Sequence, residues 1–335
     1  MQVKVGTFNL NNLFSRYNFQ GEIQAIAAGD NTVEAQYQFT DPTSYRLRTF
    51  MGRLVKGKDP GDTVRIASRI ASMDLDVLAV QEVEDIGTLR RFVIDNLGSL
   101  YPHIVLVEGN DSRLIDVALL SELPLGAVTS WQRAVHPSDP NAPVFGRDLL
   151  QVEVMNPSRT RGLLTLFNIH LKSHFLSPGE TAADANSRRE RQAEAMASII
   201  ERQTRPNSSF VVTGDMNDPS SSEFLAPLAA SAALRLVDGL ANPTETRPGP
   251  ADSPPPSTTA WTHRFKPSGQ PASYELFDHV WLSPTLAQNR SEPSSTVGRE
   301  GQETGATTTP RGWFWTFESD VYSNDRLDRN GLGSE

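Results

Sequence analysis

The chain has no cysteine, so disulfide bonds, thiolate metal sites and cysteine nucleophiles are all excluded. Any metal must be held by oxygen and imidazole ligands, which favours hard ions such as magnesium, manganese or calcium. No apolar run is long enough to cross a bilayer. The first residues, Met1-Gln2-Val3-Lys4-Val5, lack the basic start and apolar stretch of a secretory leader and begin directly in a strand-like alternation. That pattern suits a bacterial-type cytoplasmic protein, with an extracellular location the alternative if a leader was removed upstream. A surplus of positive charge is also missing, because the formal net charge is −9. A broad basic face for gripping nucleic acid is thereby disfavoured. Attraction for a phosphodiester would have to come from a metal and a few local cations.

The 335 residues, 38% of them hydrophobic, suffice for a substantial core in one large α/β domain or two small ones. Apolar alternation marks strands at Val3 to Phe8, Leu75 to Val80, His103 to Val107, Ile115 to Leu120, Leu149 to Met155, Leu163 to Ile169, Phe210 to Thr213 and Phe277 to Leu282. One helix follows Asp62, with Val64, Ala67 and Ile70 on one face, and another spans Ile86 to Leu97. A third begins at Ser187-Arg188-Arg189-Glu190, which has the form of a capping box, and buries Ala193, Met196, Ala197 and Ile200. Some strands are adjacent in sequence and others are separated by helices. This predicts two packed sheets with helices outside, not one doubly wound parallel sheet. Ser15–Gly61, Asn242–Ala272 and Arg290–Arg311 look like surface insertions, so one domain over residues 1–335 is the simplest organisation.

Five short segments put polar residues at the ends of apolar strands, where side chains converge on one rim. They are Thr7-Phe8-Asn9-Leu10-Asn11, Gln81-Glu82, Asn168-Ile169-His170-Leu171-Lys172-Ser173, Gly214-Asp215-Met216-Asn217-Asp218 and Phe277-Asp278-His279. Singly, each has a bland explanation: a solvated loop glutamate, an Asp/Asn turn, a structural histidine. Asp278 is harder to dismiss, since burying an unpaired carboxylate costs several kcal/mol. Taken together, a rim so rich in acceptors calls for cations or a phosphate-bearing ligand.

The ordered set from Asn9 through Glu82, His170 and Gly214-Asp215-Met216-Asn217 to Asp278 resembles the endonuclease/exonuclease/phosphatase superfamily. That group includes deoxyribonuclease I, abasic-site endonucleases, neutral sphingomyelinases and inositol polyphosphate phosphatases. The likeness runs from Gly6 to Ser283 and takes in Asp116-Val117-Ala118-Leu119-Leu120-Ser121 and Arg147-Asp148-Leu149-Leu150. It implies an α/β fold, a four-layer α/β/β/α sandwich with the active site on one rim. It also implies a magnesium- or manganese-dependent phosphodiesterase (calcium is an alternative), with nucleic acid as the expected substrate and a monomer assumed.

Carried over residue by residue, Glu82 would bind the metal, with Asn11 and Glu335 as further ligand candidates. Asn9 would hold Glu82 and the phosphate. Asp215 would orient or deprotonate the attacking water, Asn217 would bond a phosphate oxygen, and His170 would contact the scissile phosphate. Asp278 would orient a second histidine. Arg113, Arg147 and Lys172 are candidate cations for the substrate phosphate. His279 follows Asp278 along a strand and should face the other way. The late Ser-Asp-His motif is altered: Ser319-Asp320-Val321 carries valine, and Ser334-Glu335 stops where a histidine would follow. A closing strand and that histidine are therefore expected beyond Glu335. A phosphatase or phospholipase-like enzyme and a catalytically silent binding protein are the two other readings.

Overall fold

The computed structural model describes residues 3–14, 58, 60–111, 113, 115–239, 262–265 and 273–288, and the backbone of strands 21–28, 33–39, 295–298 and 314–317. In chain order the strands are β1 (Val5–Leu13), β2 (Gly21–Ala28), β3 (Val33–Phe39), β4 (Val77–Val83), β5 (His103–Leu106), β6 (Asp116–Ser121), β7 (Leu125–Ser130), β8 (Val135–His136) and β9 (Asp139–Pro143). They continue with β10 (Leu150–Met155), β11 (Gly162–His170), β12 (Phe210–Asp215), β13 (Val237–Asp238), β14 (His263–Phe265), β15 (Ser273–Glu275), β16 (Asp278–Leu282), β17 (Ser295–Gly298) and β18 (Phe314–Phe317). The helices are α1 (Pro60–Met73), α2 (Ile86–Asn96), α3 (Ala182–Gln203), α4 (Ala226–Ala229) and α5 (Pro284–Gln288).

Two six-stranded sheets form the centre, in the orders β17-β18-β1-β4-β6-β5 and β13-β16-β12-β11-β10-β7. Period-two alternation assigns each strand residue to one of two faces. Leu78, Val80, Ala118 and Leu120 join Ile66, Ile70, Leu89 and Phe92 in a core beneath α1 and α2. Their neighbours Val77, Ala79, Val117 and Leu119 turn the other way and meet Val152, Val154, Leu166, Val211 and Val280 from the second sheet. On that sheet's far side Phe167, Ile169, Val212 and Trp281 pack on Ala193, Met196 and Ile200 of α3. Three apolar layers between four layers of structure make this an α/β/β/α sandwich.

Several local expectations need correction. Helix α3 starts five residues before Ser187: Thr181 is its N-cap, in a reciprocal box with Asp184. The hydroxyl–carboxylate pair at Thr181 and Asp184 competes better than Ser187-to-Glu190, because it sits where the chain enters from an extended loop. On α1 the buried face is Ile66, Ala67, Ile70 and Met73, whereas Val64 is 56% exposed. Strand β4 runs through Gln81 and Glu82 to Val83, past the expected apolar stretch that closed at Val80. Within the expected insertions, 15–61 contributes the antiparallel ribbon β2–β3, a sheet of its own, and 290–311 contributes β17, which pairs with β18 beside β1.

Candidate active site

His170 ends β11 and Asp215 ends β12, Glu82 is the penultimate residue of β4, and Asn9 is the last residue of β1 in regular register with β4, so both sheets deliver them to one rim. Asp278 opens the antiparallel β16 and stands opposite Asp215 in register. Irregular backbone aims the residues from the first sheet. The β1–β4 ladder slips between Asn9 and Leu13, and the β4–β6 ladder slips between Val80 and Val83. Within these bulges Asn11, Asn12 and Glu82 take positive φ of 47°, 58° and 62°, and Asn217 beyond β12 takes 53°. Asparagine tolerates this left-handed region, whereas glutamate does so at a cost of about 1–2 kcal/mol. Bulges re-aim side chains beside active sites, and here the twist brings the Glu82 carboxylate back to accept the Asn12 amide at 2.9 Å.

Hydrogen bonds tie the rim together. Asn9 Nδ2 donates to Asp215 Oδ2 at 2.9 Å, while Asn9 Oδ1 accepts the Asn11 amide at 2.8 Å. Asn9 thus holds Asp215, not Glu82 as expected, because the bulge carries Glu82 over Asn12. Asp215 Oδ1 accepts the Asn217 amide at 2.9 Å. His170 Nε2 is 3.6 Å from Asp215 Oδ2 and 4.0 Å from Glu82 Oε1, and its Nδ1 has no hydrogen-bond partner among the described residues. Burial, reinforced by the charges of Arg147 and Arg113, holds the imidazole well below its ordinary pKa and therefore neutral. Two carboxylates and a neutral histidine face one small space.

Below them lies a buried clasp between the sheets. Gln81 Nε2 donates to Asn168 Oδ1 at 2.8 Å, and Asn168 Nδ2 reaches the carbonyls of Val80 and Ala118 at 3.1 and 2.8 Å. A satisfied polar network in an apolar interior fixes the register of the facing sheets. Gly214 permits the last close approach: its φ is +133°, and a Cβ there would lie 2.0 Å from the Ile169 carbonyl oxygen.

The three expected phosphate cations part company. Arg147 is buried; its Nε pairs with Asp111 at 3.0 Å and its Nη1 donates to the Leu171 carbonyl at 3.1 Å. That carbonyl also accepts Asn217 Nδ2 at 3.2 Å, so Arg147 braces the turn from below the rim. Arg113 is half-exposed and forms a two-point pair with Asp111. Burial pushes Asp111 up, but the Arg113 hydrogen bonds and the Arg147 charge outweigh it and keep the carboxyl ionised. Both guanidiniums lie close enough to feel the charge of Glu82, which offsets the acidity of the rim. Lys172 is turned away: Nζ pairs with Glu180 at 3.2 Å and donates to the carbonyls of Ser173 and Phe175.

Asn11 is half-buried at the rim and shapes its backbone. Asp278 is 5% exposed, with its amide bonded to Thr262 Oγ1 at 3.1 Å. His279 faces away from the rim and stacks on Trp281, with Nε2 2.8 Å from the Asp218 carbonyl. Glu335, Ser319-Asp320-Val321 and Ser334 lie outside the described residues. Sequence reasoning missed Arg189 of α3, which is fully buried and ties Asp218 Oδ2 at 3.0 Å to the Lys172 carbonyl at 2.7 Å. It also missed Asp111; the nearby Asp111-Ser112-Arg113 spacing was its available signal.

Among the described residues, no group of three or more His, Asp or Glu side chains is arranged to hold a metal alone. The hard oxygens of Glu82 and Asp215 fit an ion that takes one or two carboxylates and completes its shell with water and phosphate, as magnesium does. They do not fit a four-ligand zinc centre.

The four-layer sandwich, with carboxylates, asparagines and a histidine on one rim, agrees with the superfamily that the motifs resemble. The chain belongs to the endonuclease/exonuclease/phosphatase family, which it matches over residues 6–319. Members of that family are phosphoesterases that in general depend on divalent metals. Among solved structures, it resembles a β-hairpin deletion mutant of beta toxin from Staphylococcus aureus, at 13% identity and TM-score 0.50, over 93% of this chain and 94% of that one. It is similar in the same way to an endonuclease/exonuclease/phosphatase from Bacteroides vulgatus, at 13% identity and TM-score 0.50, over 85% and 88% of the two chains. At such identities the likeness concerns the fold. No curated protein matches the chain.

Proposed function

We propose that this protein is a metal-dependent phosphodiesterase that hydrolyses DNA or RNA by in-line attack of water. The observation that carries the proposal is the convergence of Asn9, Glu82, His170, Asp215 and Asn217 on one rim, with Asp215 held at both oxygens. A carboxylate so anchored accepts a proton from a water in fixed geometry, the condition for general base catalysis. Glu82, with Asp215 beside it, would hold the ion. A bound divalent ion neutralises charge on the non-bridging phosphate oxygens and sharpens the nucleophile.

The chain's own groups then divide the remaining work. Neutral His170, with its proton on Nε2, directs that N–H toward the two carboxylates and, once substrate is seated, toward a phosphate oxygen. Asn217, whose side chain already reaches the Leu171 carbonyl, presents its amide at the mouth of the site. Arg113 adds positive charge near Glu82, and Arg147 supports the Leu171–Asn217 turn through the Leu171 carbonyl. Asn9 fixes Asp215 so that no reorganisation is needed as the proton moves.

Double-stranded DNA, single-stranded DNA, RNA and bis-p-nitrophenyl phosphate, each with magnesium, manganese, calcium or chelator, form the discriminating panel. Metal-dependent cleavage of a nucleic acid supports the proposal. Cleavage of bis-p-nitrophenyl phosphate alone, or of none of the four substrates, overturns it.

A further inference from the structure

Three flat rings lie in a ladder beside the catalytic rim. Phe277 is the middle rung: its centroid is 4.7 Å from that of His263 at an interplanar angle of 16°, and 5.5 Å from that of His174 at 25°. Phe277 immediately precedes Asp278, and its position is fixed. Its carbonyl accepts the Met216 amide at 2.8 Å and its amide donates to Thr262 Oγ1 at 3.0 Å. The ladder is thereby pinned one residue away from Asp215, Asn217 and Asp278. Ring pairs at these separations gain attraction beyond simple burial, yet the terminal ring remains open. His174 has 53% of its side-chain surface exposed, and one of its faces is covered by Phe277.

The loop that carries His174 is held in shape. Lys172 Nζ donates to the carbonyls of Ser173 and Phe175 and pairs with Glu180, whose Oε2 also accepts the Ser177 amide at 2.9 Å. Arg189 bonds the Lys172 carbonyl from below and fixes Asp218, whose Oδ1 is 3.8 Å from His174 Nε2. A lysine and a buried arginine are thus both spent on a loop that displays His174, with Phe175 and Leu176 exposed at 56% and 40% beside it. Burial and the Arg189 charge hold His174 below its ordinary pKa, so near neutrality it offers a flat uncharged face, not a cation. A flat neutral ring suits another flat ring, and base–aromatic stacking tolerates any sequence because each base has a π-face.

We propose that the open face of His174, the end of the His174–Phe277–His263 ladder, stacks a nucleobase next to the scissile phosphate. The proposal rests on the phosphodiesterase reading and names its substrate class as nucleic acid with an unpaired base at the site. In a protein of net charge −9, stacking supplies grip that a basic groove would otherwise provide.

The test uses a thymidine dinucleotide phosphorothioate and two versions in which one base is replaced by hydrogen, bound to the whole protein with magnesium. Wild type should prefer the two-base ligand over one of the abasic versions by about tenfold, the scale of one lost stack. His174→Ala should erase that preference and His174→Phe should keep it, with melting temperatures unchanged. Equal binding of the base-bearing and both abasic ligands, or an intact preference in His174→Ala, overturns the platform. So does co-sedimentation with phosphatidylcholine vesicles that is lost in His174→Ala and Phe175→Ala, which would assign the loop to a lipid surface. Base preference without cleavage of any diester would support the platform while overturning the proposed chemistry. Cleavage without base preference would do the reverse.

Discussion

Glu82 is the residue whose replacement separates function from folding most sharply. Its φ of 62° is left-handed, which disfavours glutamate by about 1–2 kcal/mol and asparagine much less. Glu82→Asn therefore relieves backbone strain, while it loses the carboxylate bond to the Asn12 amide, which lies at the surface. A bond to a charged group is worth about 1.5–3 kcal/mol, toward the low end at an exposed site. The two effects nearly cancel, so stability should change by less than about 1 kcal/mol. Turnover should fall by about 10²-fold or more, because the carboxylate assigned to the metal is gone. Urea unfolding and diester hydrolysis, measured on the same preparation, give both numbers. Destabilisation beyond about 2 kcal/mol with most activity retained would make Glu82 a structural residue and refute its catalytic assignment.

Three further outcomes follow from the same geometry. Gly214→Ala places a Cβ 2.0 Å from the Ile169 carbonyl at a φ of +133°, and should cost about 3 kcal/mol or more; a melting temperature equal to wild type would contradict that. Burial, partly opposed by the Gly109 amide and aided by Glu108, Asp111 and Asp148, pushes Asp116 up to about 7. An acid raised on folding binds its proton more tightly in the native state, so its contribution is intact below about pH 4 and declines as pH rises to 7. Urea titrations at pH 5 and 8 should show wild type losing about 2–3 kcal/mol more than Asp116→Asn, and identical losses would sink the assignment. Finally, with net charge −9, Lys172 turned away and Arg147 buried, nucleic-acid affinity should depend weakly on salt; a log–log slope as steep as about −6 would contradict this.

What could be read in the sequence was whatever depends on period two. Leu78 and Val80 against Val77 and Ala79 already describe a strand with two buried faces, and several such strands with interspersed helices demand a layered sandwich. The rim residues were visible because Asn9, Glu82, His170 and Asp215 each follow the apolar run of such a strand. What stayed hidden depended on contacts between distant segments. Nothing in Thr7-Phe8-Asn9 shows that Asn9 grips Asp215, because the bulge that diverts Glu82 to Asn12 is a tertiary feature. Lys172 sits in sequence beside His170 yet folds back to Glu180, which only the shape of the following loop decides. Arg189 lies mid-helix among other arginines, and only the packing of α3 singles it out. Edge strand β7 was missed because Gly126, Ala127 and the exposed Val128 blur its alternation.

The central claim is that this rim hydrolyses phosphodiesters with a divalent ion, with Asp215 as the base. The most direct measurement is turnover of a phosphodiester by metal-stripped protein, before and after adding magnesium or manganese, for wild type and Asp215→Ala. Wild type should be inactive in chelator and recover with metal. Asp215→Ala should be slower by about 10²–10⁴-fold while remaining folded. Full turnover by protein shown by elemental analysis to be metal-free, or a folded Asp215→Ala with most of its activity, would contradict the mechanism.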